Sequence, residues 1–69
     1  MPLLLADVGE ENIIKKIGGN SETKRHLENL GFVIGGTVNI VSTIGGNLIV
    51  KVKESRVAIS REMAQKIFV

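Results

Sequence analysis

The chain has 69 residues, no cysteine, and a net charge of +2 from nine basic and seven acidic side chains. A length of this kind predicts one domain, which buries only about 60% of the surface its unfolded chain exposes. Disulfides and thiolate metal sites are excluded, and the charge excess is too small for a basic arm.

The core must be aliphatic. Hydrophobic residues make up 43% of the chain, and the only aromatic ones are Phe32 and Phe68. Base stacking and the docking of proline-rich peptides both lean on aromatic surfaces, so neither is favoured. No run approaches the roughly 20 apolar residues of a membrane-spanning helix. Met1 to Ala6 is too short for a signal core and lacks a basic flank, so a soluble, intracellular (cytoplasmic) protein is expected.

In chain order, Leu5-Ala6-Asp7-Val8 reads as a helical turn or extended entry, broken at Gly9 in a turn with positive φ. Glu11 to Ile17 is β-branched and reads as one strand, with Ile13 and Ile17 on one face and Lys15 between them. Gly18-Gly19-Asn20 breaks it. Ser21 to Leu30 changes period: Thr23, Leu27 and Leu30 form a narrow apolar stripe on a helix, with Asn20 as its N-cap. Lys24 and Glu28 sit four apart on its solvated side.

Thr37 to Thr43 reads as a strand, with Val38 and Ile40 facing one way and Asn39 and Val41 the other. Gly45-Gly46-Asn47 is a hairpin signal. Leu48 to Lys53 alternates, with Leu48, Val50 and Val52 inward and Lys51 and Lys53 outward. Glu54-Ser55 reads as a second tight turn, and Arg56 to Ser60 as a strand with Val57 and Ile59 inward. Arg61 to Gln65 reads as a helical turn carrying Met63 to the core, and Lys66 to Val69 as a last strand. Five short strands in so few residues predict a small bent barrel, mainly β, with one inserted helix.

The helix "KRHLENLGF", the glycine turn, "TVNIV", the hairpin "GGNLIVKV" and the tail "RVAISREMAQKIFV" together resemble the ferrous iron transport protein A (FeoA) family. The residues that carry the resemblance are Leu27, Leu30, Gly31, Gly35 and Val38, then Ala58, Ile59, Arg61, Glu62, Ala64, Ile67 and Val69. It spans the whole chain, and a related fold forms the C-terminal domain of iron- and manganese-dependent repressors. The resemblance implies an SH3-like barrel and an accessory protein of ferrous-iron uptake. Its partner would be the cytoplasmic domain of a GTP-binding iron permease. The alternative is a metal-responsive regulatory module of the repressor type, which would need a DNA-binding domain in trans. Family members often carry proline where Ile34 stands and beside the hairpin turn, near Thr43 and Leu48, so the rigidity of those two turns differs here.

Gly31 and Gly36 have the glycine spacing of a phosphate-binding loop, but Thr37 stands where that loop needs lysine and Val38 where it needs Ser or Thr. The order is also reversed: a helix C-terminus, not an N-terminus, faces the loop. Gly31 is instead expected to end the helix in left-handed conformation, with Phe32 folding back on Leu27. Gly35-Gly36 and Gly45-Gly46 are the structural turns of the barrel.

The lone histidine, His26, lies four residues after Glu22, so the two share a helix face and could grip Fe²⁺ or a similar divalent ion weakly. Without support from behind, an exposed pair holds metal loosely, and no firm cofactor is expected. Glu10 and Glu11 are a second oxygen-rich candidate.

Lys51, Lys53 and Arg56, with Arg61 and Lys66 nearby, could form a basic face or merely guard a sheet edge. A small RNA-binding barrel is a third reading, disfavoured by the missing aromatic platforms. Ser42, Ser55 and Ser60 have no histidine at a usable spacing, so no catalytic constellation is expected. The expected contact surface is the solvated helix face, Lys24, Arg25 and Glu28, with Gly35 and Gly36 beside it, on a monomer.

Overall fold

The computed structural model describes residues 1–69. A 3-10 turn spans Leu3–Leu5. It is followed by β1 (Glu11–Ile13), β2 (Lys16–Ile17), α1 (Ser21–Leu30), β3 (Thr37–Ile44) and β4 (Asn47–Val52). Then come β5 (Ser55–Ser60), α2 (Arg61–Ala64) and β6 (Ile67–Phe68). Four strands form an antiparallel sheet in the order β1-β3-β4-β5, while β2 and β6 form a separate two-stranded ribbon.

The strand count is six, not five, because the 11–17 stretch is broken. Ile13 is 57% exposed, whereas Ile14 is buried. The Ile14 N–H donates to the Gly36 carbonyl at 2.9 Å, but the Lys15 N–H donates to the Phe68 carbonyl at 2.7 Å. The chain therefore leaves one sheet for the other between these two residues. Ile14 and Ile17, three apart, reach the core instead of the pair Ile13 and Ile17, because a strict period of two does not survive the break.

The core is a cluster of 13 buried residues, all apolar. Val38, Ile40, Leu48, Val50, Val52 and Ile59 supply the inner face of the sheet, as their alternation predicts. A bulge between Ile40 and Ser42 shifts the β3 register, and so bends the sheet toward closure. Leu27 and Phe32 cap one side of this core. Leu3 is fully buried as well, although its short leucine run has no period to announce it.

In α2 the Ser60 hydroxyl accepts the Met63 N–H at 3.2 Å, a proper N-cap; Met63 packs half-buried against the core, as expected, and Ala64 beside it is fully buried. One further expectation shifts. The β4–β5 turn is Lys53-Glu54, one residue earlier than the charge pattern suggests. Lys53 lies there at φ 56° and so has left the strand altogether. At the β3–β4 hairpin, Gly45 has φ 60° between the paired Ile44 and Asn47. Thr43 and Leu48 are the next ladder partners, so pairing holds this turn without proline.

Candidate functional site

Helix α1 begins where the Asn20 side chain accepts the Thr23 N–H at 2.8 Å. It ends at Gly31, φ 109°, where the Gly31 N–H donates to the Glu28 carbonyl at 2.9 Å and the Phe32 N–H to the Leu27 carbonyl at 3.0 Å. These two bonds are a Schellman stop, which satisfies carbonyls that would otherwise be unpaired. Phe32 and Leu27 then lie in the same buried cluster, as the fold-back requires. Thr23 and Leu30 are half-buried beside Leu27, which leaves Lys24, Arg25 and Glu28 on the exposed face.

The glycine turn follows at once. The Gly36 N–H donates to the Val33 carbonyl at 2.9 Å, and Gly35 has φ 90°. This is the pattern of a type II turn, with Ile34 at the position where proline is common. A side chain at Gly36 would crowd Val33, whose carbonyl oxygen lies 3.1 Å from where a Cβ would stand. The turn is tied to the residue that follows β1, since the Gly35 N–H donates to the Ile14 carbonyl at 2.8 Å. No helix N-terminus points into it, so nothing there matches a phosphate cradle.

Around this turn lie three exposed aliphatic side chains. Ile34 is 69% exposed, Ile13 57% and Val33 39%. Sequence alternation puts Ile13 on one face with Ile17, and no such alternation marks Val33 or Ile34 as a surface group. The only available signal was an aliphatic pair set between turn glycines, where polar residues are more usual.

Glu22 and His26 do share a groove, which Asn20, Thr23 and Met63 complete. No third His, Cys, Asp or Glu joins them, and Glu10 and Glu11 likewise form no cluster of three. The residues fit only an open two-ligand contact whose remaining positions would fall to water or to a partner.

The basic residues separate. Lys51 and Arg56 are direct cross-strand partners, but Lys53 sits in the turn. Arg61 lies against Gly46 at the other end of the sheet, and Lys66 lies against Gly19 beside the start of α1. The five do not make one patch. Among the serines, Ser60 is committed to capping α2, and none is joined to His26 by a hydrogen bond.

These features define a class: a small SH3-like barrel with a helix inserted between its second and third strands. Solved structures share it at low sequence identity. An iron uptake regulatory protein, FeoA, superposes with a TM-score of 0.89 at 24% identity, over 97% of this chain and 91% of that one. Stenotrophomonas maltophilia FeoA, solved with zinc, matches with a TM-score of 0.85 at 26% identity, over 99% and 87%. A manganese-dependent transcriptional repressor has a TM-score of 0.87 at 16% identity; the match takes 97% of this chain but only 39% of that one.

The sequence carries the assignment further. The FeoA domain model matches residues 1–69. A Methanocaldococcus jannaschii protein described as an Fe(2+) transport protein A is 37% identical over 68 residues, 99% of this chain and 83% of that protein. The chain belongs to the FeoA family, small proteins associated with ferrous-iron transport.

Proposed function

We propose that this protein is an accessory factor of ferrous-iron transport that acts by reversible contact with the cytoplasmic domain of a GTP-binding iron permease. The surface is the glycine turn with the exposed face of α1. The observation that supports it most directly is the group Ile13, Val33 and Ile34, solvent-exposed around one hydrogen-bonded turn that follows directly on α1, whose exposed face carries Lys24, Arg25 and Glu28. Exposed apolar surface held on a braced turn is what a transient protein interface needs. The S. maltophilia relative has been described as a candidate ferrous iron transport activating factor, which agrees with an accessory role.

Regulation of the permease requires that the barrel bind its two conformations with different affinity. Any Fe²⁺ contact at Glu22 and His26 is weak and completed from outside the chain.

An NMR titration of the labelled protein with the permease's cytosolic domain tests this. Shifts are expected at Ile13 and along residues 33–36. Ile34→Asp should weaken binding by at least about tenfold while leaving the fold intact, because the side chain is not in the core. Lys24→Glu with Arg25→Glu should weaken it less and remove its salt dependence. Unchanged binding in both variants overturns the reading.

A further inference from the structure

The four-stranded sheet has two outer strands, and they are treated differently. β1 is only three residues long, and its ladder with β3 runs on into the glycine turn, where the Ile14 N–H donates to the Gly36 carbonyl. β5 runs for six residues, pairs with β4 alone, and takes part in none of the loop and turn backbone hydrogen bonds; only Ser60, at its end, is committed elsewhere, as the N-cap of α2. It holds no proline and no bulge, two common devices that blunt a free edge.

The hairpin geometry says which groups are open. A two-residue turn between Val52 and Ser55 makes that pair, and every second pair after it, the ones that exchange bonds with β4. Val57 and Ile59 therefore spend their backbone groups inward. Arg56, Ala58 and Ser60 direct their N–H groups away from the sheet, and Arg56 and Ala58 their carbonyls as well.

Charge is graded along the same direction. One row of ladder partners crosses the outer face as Glu11, Asn39, Lys51 and Arg56. Its acid stands at the β1 end and its two cations at the β5 end. Like charges placed opposite one another repel, and neither cation takes part in a hydrogen bond. The nearest acids along the chain are Glu54 in the adjoining turn and Glu62 on α2.

We propose that the outer edge of β5 accepts an extended, acidic segment of a partner protein as a fifth strand. Main-chain bonds to Arg56, Ala58 and Ser60 would align it, and carboxylates would meet Lys51 and Arg56. A second copy of this chain is the poorer occupant, because antiparallel pairing of two β5 strands puts both cation pairs on one continuous face. This surface lies at the sheet edge opposite the glycine turn, so the proposal goes beyond the docking reading and can fail without it.

The test is an NMR titration with a capped hexapeptide of alternating Glu and Val, beside a control in which Lys replaces Glu. The acidic peptide should shift the amides of Arg56, Ala58 and Ser60, and the basic one should not. Ala58→Pro removes an outward N–H without touching the bonds to β4, and should abolish binding. Lys51→Glu with Arg56→Glu should weaken the acidic peptide at least about tenfold and transfer binding to the basic one. Equal binding of both peptides, or shifts confined to residues 33–36, overturns the proposal. So does movement of the same β5 amides with protein concentration alone, which would make a second copy the occupant.

Discussion

Gly31 and Lys53 both have left-handed backbone, and they sit together: a Cβ on Gly31 would lie 3.9 Å from the Lys53 Cδ. One ends α1 and the other turns β4 into β5. Their conformations nonetheless differ in cost. Lys53, at φ 56°, is near the centre of the small left-handed region that an L-residue can occupy. Gly31, at φ 109° and ψ 3°, lies well outside it. Space does not separate the two cases, because a Cβ on Gly31 would meet Val52 at an ordinary 3.6 Å. Backbone angle alone explains why one position holds glycine and its neighbour tolerates lysine.

Substitutions at three positions break or sharpen this contrast. Phe32→Ala should have the largest effect, because it empties the fully buried site that ties the α1 stop to the barrel. A loss of about 3–5 kcal/mol is expected in chemical denaturation, enough to unfold much of a domain this small. Gly31→Ala should cost about 1–2 kcal/mol from strain with no clash, and Gly31→Asn should recover part of it. If alanine is neutral, the argument from φ is wrong. Lys53→Gly should act in the opposite direction and raise the unfolding free energy by about 0.5–1 kcal/mol, read as a higher denaturation midpoint; this is the strain released less the added freedom of the unfolded chain.

Legibility in the sequence followed local chemistry. The Asn20 cap, the Gly31 stop and the alternation of Leu48, Val50 and Val52 were readable because each depends on residues within a few positions of one another. The break at Ile14 was not. It arises because Gly35 and Gly36 hold the backbone of Ile14 while Phe68 takes the N–H of Lys15, and each of these partners is far away in sequence. Lys53 was misplaced for a related reason: alternation gives no warning that a turn takes a lysine in left-handed conformation. Of the expected site, the exposed charges of α1 and the glycines were visible in advance, but the apolar group at Ile13, Val33 and Ile34 was not. Its members are spread over two segments that only the Gly35–Ile14 bond brings together.

By itself the sequence determined the family, the aliphatic core, the helix with both its stops, and the absence of any nucleotide loop. These rest on short-range pattern and on residue inventory. Only the tertiary structure decided which edge of the sheet stays open, where the basic residues part company, and which isoleucines face solvent. Those are consequences of register, and register is settled by pairings between distant segments that no local pattern encodes.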